Sequence, residues 1–301
     1  MNTFDLVLQA TVSGIVVGSV YSMIALSLVI IYKSTDVVNF AGGEMLMAGG
    51  YLALLAILVL QLPYALVFGF VAFVTLSGGM LFERCVLKFI ARNGSPGHNG
   101  MVSLVIATVG LSYVIKGFVR IFPYTEQVHR LPPLVTGPPI FIGNTIIQRQ
   151  DIVIVGIGFL AILALGLFFQ YTLTGKALRA ASENPRAAEL SGIPIEGMRT
   201  LVWGIAAAIT GVAGVLLAPK LLLTPDIGHI VVLALAAAII GGFTSLTGCI
   251  VGGILLGLIE NFVGILISTQ AIEPAPFILI MVVLTFRPQG LFGGDVSAKK
   301  V

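Results

Sequence analysis

The stretch LVLQATVSGIVVGSVYSMIALSLVIIY, residues 6–32, decides the fold, because it contains no Asp, Glu, Lys or Arg. Further charge-free stretches cover residues 45–82, 152–175, 200–219 and 227–259. In the whole chain 57% of residues are hydrophobic and 10% are charged, whereas about 25% of residues are charged in soluble domains. Water is not a suitable solvent for such surfaces, so the sequence predicts an integral membrane protein.

The lengths of the apolar runs predict an all-α, polytopic bundle with eight or nine membrane spans, since roughly 20 apolar residues cross the hydrocarbon core as a helix. A β-barrel is disfavoured because its strands alternate apolar and polar residues, whereas these runs are apolar on every face. Segments 249–268 and 274–287 are predicted to be short, as broken or re-entrant helices. We expect residues 1–301 to form a single transmembrane domain. The predicted spans are 6–31, 41–62, 64–82, 101–121, 151–172, 199–219, 226–242, 249–268 and 274–287.

Basic residues occur mainly in alternate loops, and such loops face the cytoplasm. This places the N-terminus outside and the C-terminus inside, and it makes residues 122–150 an external loop. Prolines in that loop exclude a regular helix, and a simple linker and a docking surface both remain open as its role. The loops predicted to be cytoplasmic carry Lys33; Arg84, Lys88 and Arg92; Lys176, Arg179, Arg186 and Arg199; and Arg287, Lys299 and Lys300.

Chemical motifs are absent from the sequence. There is no GxxxxGK[ST] phosphate loop, no HExxH and no GxSxG, and the histidines are scattered at positions 98, 129 and 229. We therefore expect no catalytic residue, no metal site, no cofactor and no ATP hydrolysis by the chain alone. The net charge of +3 gives no reason to expect nucleic acid as a partner. Any energy from ATP must reach this chain through a second protein, which directs attention to the cytoplasmic loops.

The loop at about 173–198 contains the start and stop signals of a short helix. Asn184 can cap it, Pro185 suits its first position and Gly192 can end it in a left-handed conformation. A helix this short is marginal in water, so a groove on a partner would stabilise it, although a solvated surface helix is the commoner meaning. The residues proposed for contact with a partner are Glu183, Asn184, Pro185, Arg186, Ala187, Ala188, Leu190 and Gly192.

Polar side chains inside apolar stretches are candidates for a solute pathway. A carboxylate in a span costs roughly 2.5–3.5 kcal/mol on insertion scales, so Glu44 and Glu260 need a reason to be there. Asn39 and Asn261 accompany them. Bracing between helices is the alternative role for all four residues. The segment Gly241–Gly248 is a separate case: Gly241, Gly242, Ser245 and Gly248 predict a tight turn near the cytoplasmic face, acting as a structural hinge or as a gate.

The chain resembles the permeases of branched-chain amino-acid ABC importers, in the group that includes ribose and urea permeases. The resemblance covers essentially the whole chain, although relatives commonly have His at the position of Gly42. The stretches that carry it are Asn39–Glu44, Gly175–Ala180 through Gly192–Ile193, Gly241–Gly248 running to Gly257 and Glu260, and Arg287–Gly293.

The resemblance implies an ABC importer permease in the bacterial cytoplasmic (inner) membrane. The partners that it implies are a second homologous permease, two cytoplasmic ATPase subunits that bind the ATP, and an external solute-binding protein. It also implies that the 175–193 loop docks on the ATPase. Urea, a sugar or a small carboxylate remain alternatives to an apolar amino acid as the solute. An ion-coupled carrier using Glu44 and Glu260, and a membrane-embedded enzyme, are the competing classes.

Overall fold

The computed structural model describes residues 3–93, 98–122, 125, 128–143 and 145–294. Lys299 and Lys300, two of the basic residues used to predict the orientation, lie outside this range. A two-stranded antiparallel hairpin joins β1 (Ile140–Ile142) and β2 (Thr145–Ile147). The α-helices of the described part are α1 (Thr3–Thr35), α2 (Gly42–Leu58), α3 (Tyr64–Phe82), α4 (Lys88–Asn93), α5 (His98–Ile121), α6 (Arg149–Tyr171), α7 (Leu173–Glu183), α8 (Pro185–Leu190), α9 (Ile195–Leu217), α10 (Ile230–Gly241), α11 (Leu246–Leu266) and α12 (Ala275–Phe286).

Helix lengths confirm a polytopic helical membrane fold. Within the described ranges, six apolar helices are long enough to cross a membrane and three shorter ones lie at Gly42–Leu58, Ile227–Gly241 and Ala275–Phe286, so that nine apolar helices match the predicted spans. The prediction for 249–268 was wrong, because α11 has 21 residues and is long enough to cross. Helices α10 and α12 are the short ones, since the 12 residues of each rise only about 18 Å against a core of about 30 Å, and the prediction that 274–287 is short is confirmed.

Contacts divide the chain into two compact units. The first comprises Met1–Val29, Pro133–Phe159 and Val231–Val301, and the second comprises Ile30–Pro132 and Leu160–Ile230. The single domain expected over residues 1–301 stays a prediction.

In the first unit, α1 packs against α11 through glycines. A Cβ added at Gly14 would lie 2.8 Å from the Leu258 Cα, and one at Gly18 would lie 2.8 Å from the Ile254 Cα. The Ser22 hydroxyl donates to the Ile250 carbonyl oxygen at 2.8 Å across the same contact. Small residues at GxxxG spacing thus allow the two backbones to approach closely.

The hairpin belongs to the first unit and is held by the start of α1. The Thr145 hydroxyl donates to the Asp5 carbonyl oxygen at 3.4 Å, and the Ile146 N–H donates to the Gln9 side chain at 3.2 Å. The hairpin, which belongs to the loop predicted to be external, therefore lies at the same end of this unit as the first turns of α1.

In the second unit, α9 lies against both α2 and α3. A Cβ added at Gly49 would lie 2.3 Å from the Gly211 carbonyl oxygen, and one at Gly79 would lie 2.6 Å from the Trp203 carbonyl oxygen. Trp203 is fully buried, with its ring centroid 5.6 Å from that of Phe82. This packing fixes the first turns of α9, which follow directly from α8.

A π-helical segment, Glu83–Leu87, joins α3 to α4. The Lys88 N–H donates to the Glu83 carbonyl oxygen, which is the i→i+5 bond that defines a π-helix. Glu83 and Leu87 are buried, while Arg84 and Cys85 between them are exposed. The segment therefore turns a carboxylate toward the interior of the second unit.

Candidate functional site

The loop predicted to contact a partner contains two helices, α7 and α8. Only α8 is predicted from the sequence. Helix α7 begins after Thr172, whose hydroxyl accepts a hydrogen bond from the Gly175 N–H at 2.9 Å. A Cβ at Gly175 would lie 2.1 Å from the Phe168 carbonyl oxygen, so the loop packs tightly on the end of α6. A capping Thr172 followed by apolar residues at helical spacing was the available signal for α7.

Helix α8 confirms the predicted capping. The Asn184 side chain accepts from the Ala187 N–H at 3.0 Å and Pro185 occupies the first turn. At the other end Gly192 has a φ of +83°, with Gly192 N–H donating to Glu189 at 2.9 Å and Ile193 N–H donating to Ala188 at 3.0 Å. This pair of bonds is the Schellman motif, which satisfies the terminal carbonyl groups and fixes the exit of the chain.

The apolar residues of α8 divide between the interior and the surface. Ala188 is 4% exposed, whereas Leu190 is 91% exposed. Glu183, Arg186 and Ala187 are also exposed. Ala188 thus anchors α8 to this chain, and Leu190 is the apolar side chain that α8 presents at the surface.

A small depression lies beside α8. Leu178, Pro185, Met198 and Arg199 are among the residues that line it. The Nε of Arg199 is buried and makes no hydrogen bond within the described structure. Leu190 is therefore exposed on α8, whereas the unpartnered Nε of Arg199 is buried within the chain.

Two polar links join the first turns of α9 to the segment that follows α3. Neither link is predicted from the sequence. Lys88 Nζ lies 2.7 Å from Glu196 Oε2. The Thr200 hydroxyl donates to the carboxylate of Glu83, which is 4% exposed. Glu83 is the first charge after the charge-free stretch 45–82, but nothing in the sequence indicates its partner.

Two of the four pathway candidates have local structural roles. Asn39 is buried, and its Oδ1 accepts from the Ala41 N–H at 3.0 Å just before α2 begins. The Asn261 Nδ2 donates to the Gly257 carbonyl oxygen, one turn earlier in α11, at 2.9 Å. Both bonds stay within one local segment of the chain, so bracing between helices by these two residues stays a prediction.

Local hydrogen bonds account less fully for the positions of Glu44 and Glu260. Glu44 lies in the first turn of α2 beside Gly228, where an added Cβ would come 3.2 Å from Glu44 Oε1. Glu260 meets the phenol of Tyr21, while its Oε2 is buried without a hydrogen-bond partner in the described structure. Asn39 and Glu44 belong to the second unit, and Glu260 and Asn261 belong to the first.

The turn at Gly241–Gly248 is as tight as predicted. Gly242 has a φ of +100°, and the Ser245 side chain accepts from the Gly248 N–H at 3.0 Å as the N-cap of α11. The C-terminal segment closes over it, because the Leu291 N–H donates to Ile240 at 2.8 Å and the Phe292 N–H donates to Gly241 at 3.1 Å. A hinge or gate at this turn stays a prediction.

A charged cluster joins α5 to the loop after α9. Lys116 Nζ lies 2.5 Å from Asp226 Oδ1, and Arg120 lies 3.8 Å from the same oxygen. The hydrogen bond from Lys116 is the main cause that lowers the pKa of Asp226 below its usual value. His129 and Leu223 exchange backbone hydrogen bonds nearby, so the loop 128–132 and the loop after α9 share one end of the second unit.

The sequence profile of the family described as branched-chain amino acid transport system, permease component, matches residues 10–286. The chain is 32% identical over 300 residues to the high-affinity branched-chain amino acid transport system permease protein BraD of Pseudomonas aeruginosa, covering 95% of each chain. It is 30% identical over 301 residues to LivH of Escherichia coli, with the same coverage.

A sugar permease matches a much smaller part of the chain. The xylose transport system permease protein XylH of Escherichia coli is 33% identical over 112 residues, which is 34% of this chain and 28% of XylH. The matches to BraD and LivH, in contrast, run through every span and through the loop containing α7 and α8. The chain therefore belongs to the permease family of branched-chain amino acid transport systems.

Proposed function

We propose that this chain is the translocation subunit of an ATP-driven importer that carries leucine, isoleucine, valine or similar apolar amino acids into the cytoplasm. This proposal rests on the similarity to BraD and LivH, which covers 95% of the chain. The names of both proteins specify branched-chain amino acid transport. A solute such as xylose has weaker support, because the similarity to XylH covers only 34% of the chain.

The chain supplies no ATPase site and no cofactor in this proposal. The partners are a second permease subunit, two cytoplasmic ATPase subunits that bind ATP, and an external protein that delivers the solute. The ATPase contacts α8, where Leu190 is exposed. A helix capped at both ends, with an exposed leucine, suits docking into an apolar groove.

The proposed location is the bacterial cytoplasmic membrane, with the N-terminus outside and the C-terminus inside. Helices long enough to span a membrane support the location. The links Lys88–Glu196 and Glu83–Thr200 support the orientation, because they place two loops rich in basic residues at one end of the second unit.

Glu260 is the strongest candidate for a residue of the solute pathway. A carboxylate oxygen that is buried without a partner is costly, and a passing ammonium group or water would relieve that cost. Glu44 is the second candidate. Asn39 and Asn261 instead make local hydrogen bonds, just before α2 and within α11.

The function is tested by leucine uptake into proteoliposomes that contain the permease pair, the ATPase and the binding protein. With ATP supplied on the ATPase side, we expect uptake to persist when a protonophore is added. Uptake that runs without ATP and collapses with the proton gradient would instead establish an ion-coupled carrier. Competition by isoleucine and valine, but not by xylose or urea, is the expected specificity.

A further inference from the structure

The described structure contains a four-residue contact that nothing in the family similarity assigns. It consists of Glu83, the first residue of the π-helical segment after α3, Lys88, the first residue of α4, and Glu196 and Thr200 at the start of α9, and we call it the clasp. Lys88 pairs with Glu196 at 2.7 Å, and Thr200 donates to Glu83. The two chain segments run antiparallel. Glu83 therefore contacts Thr200, the later residue of α9, and Lys88 contacts Glu196, the earlier one.

The π-helical segment places Glu83 and Lys88 on the same face, where both can reach α9. Glu196 and Thr200 are four residues apart and share one face of α9. Glu83 and Lys88 are five residues apart, and in an α-helix that spacing would rotate them about 140° from each other. The i→i+5 bond from the Lys88 N–H to the Glu83 carbonyl oxygen instead brings them to one face. Without the extra residue of the π-helical segment, only one of the two links could form.

The clasp lies between α8 and the membrane-embedded part of the second unit. Ile193, whose N–H closes the Schellman motif of α8, is two residues before the start of α9. Beyond the clasp, toward its C-terminal end, α9 continues to pack against α3. A Cβ added at Gly211 would lie 2.7 Å from the Thr75 side chain. A displacement of α8 therefore reaches the first turn of α9 and, through the clasp, the end of α3.

The two links differ in strength. The Lys88 and Glu196 side chains are 31% and 64% exposed, and exposed ion pairs contribute little. Glu83 is 4% exposed, and a hydrogen bond to a buried charge is worth more than one between neutral groups. The Thr200 hydroxyl also lies 3.1 Å from the Glu196 carbonyl oxygen, so its single proton has two acceptors to choose between.

We propose that Thr200 and Glu83 are positioning residues that transmit movement of α8 to α3, so that ATP hydrolysis by the partner is coupled to solute movement. This proposal rests on the proposed function, in which α8 contacts the ATPase. Thr200 and Glu83 touch neither solute nor ATP.

The test compares Thr200→Val with wild type in the complete proteoliposome system, measuring ATP hydrolysed per leucine imported. Valine keeps the size of threonine but removes the donor. We expect that ratio to rise about tenfold, since the lost bond involves a buried charge. Thr200→Ser keeps a hydroxyl and is expected to restore the wild-type ratio. Thr285→Val is the matched control, because the Thr285 hydroxyl also donates one turn back, to Met281 at 2.7 Å, without joining two helices.

A wild-type ratio for Thr200→Val, or equal ratios for Thr200→Val and Thr200→Ser, would overturn the proposal. If Thr200→Val does not assemble, Glu83→Met decides, because methionine removes the acceptor oxygen that glutamine would keep: a raised ratio supports the clasp and an unchanged one overturns it. Failure of the proposed function is distinguishable, because wild-type uptake would then ignore ATP altogether, whereas failure of the clasp leaves ATP-driven wild-type uptake intact.

Discussion

At the scale of single residues, backbone contact at glycine is the dominant feature of the membrane part. A Cβ at Gly214 would lie 2.1 Å from the Leu46 carbonyl oxygen, and one at Gly241 would lie 2.1 Å from the Gly248 carbonyl oxygen. In lipid the hydrophobic effect does not drive helices together, so close backbone approach supplies much of the attraction. Even one added methyl group at such a position must push two helices apart.

We expect Gly214→Ala to destabilise the permease by about 1–3 kcal/mol, the usual cost of overpacking. Gly78→Ala is the matched control, because Gly78 is also helical and has nothing within 4 Å of its added Cβ. Its better helix propensity should leave stability unchanged or raise it by roughly 0.4–1 kcal/mol. Thermal unfolding of the purified permease in detergent measures both. A lower melting temperature for Gly78→Ala than for Gly214→Ala would contradict this account.

At the scale of elements, the sequence predicts a helix well where capping residues mark it and poorly where distant contacts decide it. Asn184, Pro185 and Gly192 predict α8 because each has a strong local backbone preference. The π-helical segment has no such signal, since its register depends on Glu196 and Thr200, more than 100 residues later in the chain. Among the site residues, Leu190 could be proposed from sequence, but its 91% exposure could not.

We expect Leu190→Asp to weaken binding of the ATPase about tenfold or more, because burying a leucine contributes about 1.5–3 kcal/mol. Folding should be unaffected, since the Leu190 side chain is 91% exposed in the permease itself. Titrating the detergent-solubilised permease with ATPase measures the affinity. Leu190→Met keeps an apolar side chain and should bind like wild type. Equal affinities for the Asp and Met variants would exclude α8 as the docking element.

At the scale of the whole molecule, contacts sort the loops of the second unit into two ends. The clasp, with α4 and α8, lies at one end. The Lys116–Asp226 pair and the His129–Leu223 bridge lie at the other. Alternating basic loops predicted which loops share an end, and these contacts agree with that grouping. The two-unit division had no signal in the sequence, because each unit is assembled from separated stretches of chain.

Cys85 provides a test of the orientation without any added residue. It is exposed within the π-helical segment, whereas Cys249 is buried. A membrane-impermeant maleimide should therefore label Cys85 in inverted membrane vesicles and not in intact spheroplasts, while Cys85→Ser should abolish the labelling. Labelling in intact spheroplasts would place the clasp outside and would reverse the proposed topology.

The contact between α1 and α11 has a consequence for biosynthesis. Ser22 and its acceptor Ile250 are separated by 228 positions in the chain. At roughly 5–20 residues per second, the ribosome needs about 10–50 s to reach the second of them after the first. During that interval the nascent α1 carries serines and a glycine groove with no α11 to receive them. A chaperone or the insertion machinery would be positioned to shield that face of α1 until α11 has been synthesised.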